Sequence, residues 1–253
     1  MSRSSSGSGR PAPAVILLHG FCGSQFGWQG LKAALAARHR VLTPDWPGFG
    51  DEAAVPAFDS IEAMSRHVLS LADAAGLERF AVVGHSMSGF VVQQLLLDAP
   101  ARLSGAVLYG AGLTLDSRRR FESAEATLER LLTDGVPATV ARIVATWFVD
   151  GEQAPAYAET VAAGLSMNPA AARTVMQACR PMDFRGRLGE IDTPTLVIAG
   201  SRDRTYPPEL VVELANSIPG AELALLPWCA HAAHLESPER FAAILGDFLS
   251  TLS

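Results

Sequence analysis

Three residue types that together can activate a nucleophile stand far apart in this 253-residue chain: Ser86, Asp203 and His231. A serine hydroxyl is a poor nucleophile at neutral pH, so it needs a base within hydrogen-bond reach. An imidazole serves best when a carboxylate fixes its tautomer. Ser86 lies in Gly84-His85-Ser86-Met87-Ser88, directly after the apolar run Phe80-Ala81-Val82-Val83 and just before the apolar segment 90–97. A serine on a tight turn between a buried strand and a buried helix is a nucleophile elbow, and its neighbours must be small. Gly84 meets that need. The position two after the serine carries Ser88 where glycine is usual, giving GxSxS, and its hydroxyl is expected to tuck onto the helix backbone. Asp203 lies three residues beyond Gly200, which ends the β-branched run 195–200, and so falls just past a strand's carboxyl end. His231 follows the run 221–226 on a loop that also holds His234.

These positions require a scaffold. Strand-like runs near 15–18, 40–43, 80–83, 105–109, 195–199 and 222–226 alternate with helical patterns, which implies about six mainly parallel strands joined by crossover helices. Ile61, Met64, Val68 and Leu71 recur at three- and four-residue intervals and predict one buried helix stripe, with His67 beside it in a structural or surface role. Between Gly112 and Ile191 the pattern is helical without strand alternation, interrupted by Gly and Pro near 135, 155 and 169.

A length of 253 residues, 49% apolar and 18% charged with a formal net charge of −6, suits a globular enzyme of one domain with an insertion. No basic stripe points to nucleic acid. The run Arg118-Arg119-Arg120 reads as a solvated helix face, with a substrate carboxylate contact as the sharper alternative. Residues 1–13 read as a flexible tail without the apolar stretch of a signal peptide, and no run is long enough to span a membrane. Cys22, Cys179 and Cys229 are therefore expected as free thiols in a cytoplasmic protein. No nucleotide loop or metal cluster is present in the pattern, so neither cofactor nor metal is expected.

The chain order Ser, acid, His is the one found in α/β-hydrolases. With the strand and loop Val15-Ile16-Leu17-Leu18-His19-Gly20-Phe21-Cys22-Gly23-Ser24, the segment Asp45-Trp46-Pro47-Gly48-Phe49-Gly50 and the segment His234-Leu235-Glu236-Ser237-Pro238-Glu239-Arg240-Phe241, the sequence resembles that superfamily over residues 14 to 252. The branch it resembles comprises small capped esterases, enol-lactonases, carbon–carbon hydrolases and MenH-like enzymes. The resemblance implies a core of residues 14–112 and 191–253 and a helical cap over 113–190. Family members usually begin with a strand pair before the equivalent of Val15, and this chain is expected to lack it.

The resemblance further implies an acyl-enzyme on Ser86, with His231 as base, Asp203 as its partner and the backbone N–H groups of Phe21 and Met87 as oxyanion donors. His19 is expected to pin the oxyanion loop and His85 to fill the elbow. Asp45, Asp183 and Asp192 are the other acids near strand ends or linkers. Phe90, Trp147, Phe148 and Met176 suggest a mostly apolar pocket suited to neutral acyl esters of short to medium chain. The competing possibility is that Arg118, Arg142, Arg173 or Arg180 turns inward to bind a carboxylate. Carbon–carbon hydrolases often carry tryptophan after the catalytic histidine, where this chain has Ala232. MenH-like enzymes carry arginine four residues after the serine, where it has Phe90. A non-enzymatic ligand receptor on the same scaffold is the alternative from another class. The expected partner is a small acyl substrate, with no nucleic acid and no membrane; homo-oligomer formation is left open.

Overall fold

A computed structural model describes residues 12–115 and 119–252, so nearly all of the expected tail and Arg118 lie outside the described residues. Six strands, β1 (Ala14–Leu18), β2 (Arg40–Leu42), β3 (Phe80–His85), β4 (Leu103–Tyr109), β5 (Thr195–Gly200) and β6 (Glu222–Leu226), form one sheet in the order β2-β1-β3-β4-β5-β6. Every pairing is parallel. Among the described residues no strand precedes β1.

The central strands are apolar on both faces because both faces are covered, as parallel sheets require. Alternation along each strand divides its side chains between two cores. Ile16, Leu18, Phe80, Val82, Ala106 and Leu108 join one cluster. Val15, Leu17, Ala81, Val83, Val107 and Tyr109 join the other. Helix α1 (Gln29–Leu35) and a long C-terminal helix, Pro238–Thr251, cover the second cluster through Leu31, Leu35, Phe241 and Leu245. Helices α2 (Ile61–Ala74) and α3 (Ser88–Asp98) cover the first. The buried stripe of α2 continues from Ile61, Met64 and Val68 to Ala72; the predicted Leu71 is only half-buried. His67 packs against Phe58 and Trp46, at ring-centroid distances of 5.0 and 6.3 Å.

Between β4 and β5 come α4 (Ala124–Thr133), α5 (Gly135–Ala145), α6 (Tyr157–Gly164) and α7 (Pro169–Cys179). Local signals start two of them. The Ser123 side chain accepts the Ala126 N–H at the start of α4, and Asn168 accepts the Ala170 N–H just ahead of Pro169 in α7. The two ends of this segment meet, since the Phe184 N–H donates to the Leu113 carbonyl at 2.8 Å beside an isolated antiparallel bridge of Thr114 with Asp183. Val140, Val144, Val175 and Met176 bury their side chains in the same cluster as α2 and α3, so the segment is packed onto the core and shares its apolar interior. Two further helices complete the described chain before the C-terminal one: α8 (Pro208–Asn216), after β5, and the short α9 (Ala233–Glu236), after β6; Pro238–Thr251 is α10. No described helix is long and apolar enough to cross a membrane.

Candidate active site

Parallel strands leave the loops at their carboxyl ends on one side of the sheet, where α/β proteins place their ligands. Ser86 follows β3, Asp203 follows β5, His231 follows β6 and Phe21 follows β1, so all four expected residues arrive at the same edge. Ser86 takes φ +56°, a left-handed conformation costing a non-glycine residue about 1–3 kcal/mol. That strain is held by packing. A Cβ on Gly84 would lie 2.4 Å from the Ser88 carbonyl oxygen and 2.6 Å from Val92, so the strand can pass this close to α3 only as glycine.

Ser88 departs from its expected bond. Its hydroxyl donates to the His19 carbonyl across the turn and accepts the Trp46 Nε1–H at 3.0 Å, instead of bonding its own helix. The last position of the GxSxS turn therefore ties the turn to the β1 loop. His19 fixes that loop from within: its Nδ1–H donates to the Gly20 carbonyl at 2.9 Å and its Nε2 accepts the Trp46 N–H at 3.1 Å. Gly20 approaches so closely that a Cβ there would lie 2.9 Å from the Ser86 Cβ. The Phe21 and Met87 residues both border the cavity at Ser86. Among the described residues, neither backbone N–H donates elsewhere.

Asp203 and His231 form a buried pair. The His231 Nδ1–H donates to Asp203 Oδ2 at 2.7 Å, which leaves the lone pair of the neutral ring on Nε2. The other carboxylate oxygen accepts the N–H groups of Thr205 and Tyr206 at 2.7 and 2.9 Å, fixing the acid's orientation. Nε2 is buried and has no hydrogen-bond partner among the described residues. Gly110, at φ +54°, packs against the pair; a Cβ there would lie 3.0 Å from the imidazole. His85 and Tyr109 hold the backbone of His231, the His85 Nε2–H and the Tyr109 hydroxyl lying 3.1 and 2.9 Å from the His231 carbonyl oxygen. The Tyr109 carbonyl accepts the Ser86 N–H at 2.8 Å, so one residue spans both loops. Sequence reading missed Tyr109 because it looks like an ordinary strand-end aromatic.

His234 lies behind this group, with Nδ1 at 2.9 Å from the Tyr109 hydroxyl, and burial lowers its pKa to about 3. Burial also lowers His19 and His85 below the ordinary histidine range. Cys22, at φ +63°, is buried and its thiol is pushed far up by desolvation, which leaves it unsuited as a nucleophile. Burial raises Cys179 to about 12 and raises Cys229 as well; all three cysteines are free thiols.

The remaining acids have structural partners or solvent. Asp45 accepts two backbone N–H groups, from Gln25 at 2.6 Å and Asp51 at 2.9 Å, and the Gln25 side-chain amide at 3.0 Å, and so closes the β2 loop. Asp183 pairs with Arg185, whose hydrogen bonds hold it at about 2, and Asp192 is exposed. Among the described residues no group of three or more His, Cys, Asp or Glu could hold a metal ion.

The cavity at Ser86 is narrow, with about 40 Å³ of free space, room for about three water molecules. Phe90, Trp147 and Met176 border it as expected. Phe148 does not, because the chain turns after α5 and buries this ring in the core beside Trp147. Tyr206, Phe121 and Ile143 are further wall residues that the sequence did not assign to the pocket, and Arg120, from the arginine run, borders it with them. Among the described residues of the arginine run, the expected helix is not formed. Residues 119–120 lie in a non-helical turn, Arg119 pairs with Glu213 at 2.9 Å, and Arg120 reaches the cavity. Arg142 is held by Glu122 and Arg180 faces Glu125; neither of these, nor Arg173, borders the cavity.

This strand-end arrangement matches a known family profile, the alpha/beta hydrolase fold, over residues 13–238. The chain belongs to the α/β-hydrolase fold family. A relative from Klebsiella pneumoniae (strain 342) described as "Putative carbamate hydrolase RutD" is 32% identical over 258 residues, covering 95% of this chain and 92% of the relative. One of the same description from Variovorax paradoxus (strain S110) is 34% identical over 250 residues, with 95% and 92% covered. The crystal structure of the enol-lactonase from Burkholderia xenovorans LB400 superposes with a TM-score of 0.87 at 25% identity, covering 94% of this chain and 92% of that one. A hydrolase from Pseudomonas aeruginosa PA01 superposes with a TM-score of 0.85 at 27% identity, covering 94% and 90%. The α/β-hydrolase reading of the sequence is thereby established, and the protein is a hydrolase.

Glu236 joins this α/β-hydrolase's His231 loop to the helical segment, accepting the Ala230 N–H at 2.6 Å and the Val149 N–H at 2.7 Å. The Ala232 N–H donates to the Trp147 carbonyl at 2.9 Å beside it. Trp147, in turn, presents its ring to His231 edge-on at 5.5 Å.

Proposed function

We propose that the protein cleaves a carboxylic ester or related acyl substrate through an acyl-enzyme on Ser86. The observation that carries this reading is the 2.7 Å Asp203–His231 bond, which leaves a bare, buried Nε2 at the strand-end edge that also carries the Ser86 elbow. In this reading Ser86 Oγ attacks the carbonyl carbon while His231 Nε2 takes its proton. The resulting imidazolium, stabilised by Asp203, returns that proton to the leaving alkoxide as the carbon–oxygen bond breaks. Water then attacks the ester to Ser86, His231 accepts its proton, and Ser86 leaves with a proton restored. Phe21 and Met87 N–H groups receive the charge on the carbonyl oxygen, each such donor contributing about 2.7–4 kcal/mol to the transition state. The absence of a bond at Nε2 fits a pairing that tightens only with substrate present.

The relatives described as carbamate hydrolases favour an acyl carbon flanked by a heteroatom, for which the same two-step exchange serves. Carbon–carbon cleavage and MenH-like elimination gain no such support, and Ala232 and Phe90 stand where those enzymes carry tryptophan and arginine. We infer that residues 113–190 act as a cap over a core of 14–112 and 191–253, with Trp147, Met176 and Phe90 shaping the pocket and a small acyl compound as the cytoplasmic substrate. A chromogenic ester assay of wild type and Ser86→Ala tests the reading. Turnover by wild type alone supports it. Turnover that survives in Ser86→Ala overturns it, and inactivity of wild type over a panel of esters and carbamates favours the ligand receptor.

A further inference from the structure

The Ser86 cavity carries a charge that acyl transfer does not use. Arg120 borders it in the same wall as Thr205 and Tyr206. Its Nε–H and Nη1–H donate to the carbonyls of Thr205 and Leu115, each at 3.1 Å, and its guanidinium stands 4.7 Å over the Tyr206 ring. Those acceptors are neutral. They hold the side chain in place without cancelling its charge, and the guanidinium has further N–H donors to offer. Arg142, on the neighbouring helix and away from the cavity lining, is neutralised by Glu122, which also meets Arg130. Among the described residues no carboxylate forms an ion pair with Arg120. The nearby acid, Asp203, directs both oxygens elsewhere, to Thr205, Tyr206 and His231. An anchored cation on the wall of a mostly apolar cavity is strongly attractive to an anion, because the low dielectric weakens screening.

We propose that Arg120 is the anion-recognition point of this cavity, so that the protein's substrates are short acyl compounds bearing a carboxylate remote from the scissile carbonyl. The location of that carbonyl rests on acyl transfer at Ser86; the anion site itself does not. The narrow free space limits the acyl part to a few carbons unless the helices move.

Two chromogenic esters of matched length isolate the effect: p-nitrophenyl butyrate, which is neutral, and p-nitrophenyl hemisuccinate, which is anionic. Wild type is expected to favour the hemisuccinate in kcat/KM by about tenfold or more, mainly through KM. Arg120→Gln should bring the ratio near one, and Arg120→Lys should restore part of it. A residue that merely braces the loop would lower both substrates by one factor and leave the ratio intact, which overturns the proposal, as does a wild type without preference. Should wild type hydrolyse neither ester, the acyl-transfer reading fails and calorimetry decides. Succinate binding to Ser86→Ala that disappears in Ser86→Ala/Arg120→Gln sustains the anion site, and no succinate binding to Ser86→Ala removes it.

Discussion

The strand-end loops and the four helices above them hold polar groups by opposite means. At the strand ends, Ser86, His19, His85, His231 and Asp203 are nearly sealed from solvent, and the hydrogen bonds that orient them run mostly to backbone groups. In the helical segment, charge is handled by ion pairs between long side chains, as where the half-buried Glu122 meets the exposed Arg130 and the half-buried Arg142. Backbone partners are fixed by the fold, so they hold a reacting group to a narrow geometry. Side-chain partners can be exchanged at little cost, so the same helices can carry different pockets on one reaction centre.

The sharpest way to break the comparison is at the elbow. Ser86→Ala should lower kcat by about 10⁶ while the far-ultraviolet circular dichroism stays unchanged, and a fluorophosphonate probe should label wild type only. Labelling of the variant at another residue would show the reaction centre to lie elsewhere. Asp203→Asn comes next, with an expected loss of about 10⁴ in kcat through the wrong imidazole tautomer, whereas exposed Asp192→Asn should change little. Equal losses in the two would break the link between burial and role. His231→Ala should abolish turnover, and His234→Ala, which removes one of the partners of the Tyr109 hydroxyl, should cost stability first.

Acid should separate the regions thermodynamically. His234 is held at about 3 in the fold and returns to about 6.5 when unfolded, so below 6.5 the unfolded chain binds the extra proton. The stability contributed by its neutral form is thus complete above that pH and is lost as pH falls. The loss should reach about 2 kcal/mol for this histidine between pH 6.5 and 5, with His19 and His85 adding in the same direction. Urea midpoints measured across that range should fall, and the His234→Gln variant should show a flatter profile. A midpoint independent of pH would mean these rings are not held neutral.

The smallest effect is expected in the helices. Glu122→Gln leaves Arg142 and Arg130 without their shared acid, but both can turn to water, so about 1 kcal/mol of stability should be lost. Thermal denaturation measures it. A loss several times larger would place the helical segment among the rigid parts of the molecule.

Much of the site was legible because each of its members is tied to a strand end. A buried strand announces itself by its apolar run, and the parallel arrangement then sends every following loop to the same edge. Ser86, Asp203, His231 and the Phe21 loop were therefore placed at that edge by their order in the chain, with the family resemblance choosing Asp203 and His231 among neighbouring acids and histidines. The helical character of the segment was readable too, from the apolar repeats that fall in or beside α4, α5 and α7, whereas α6 carried no repeat that singled it out.

What the sequence determined, then, is the sheet, its crossovers and which polar side chains gather at its rim, since these follow from local periodicity and chain order. Only the tertiary structure decided which faces look into the cavity. Phe148 turned into the core while its neighbour Trp147 lined the pocket, and Arg120 reached inward while Arg142 was bound by Glu122. Ser88 gave its hydroxyl to His19 and Trp46, partners distant in sequence. Such choices depend on packing between segments far apart in the chain, where competing partners differ by only a few kcal/mol and no local pattern records which contact wins.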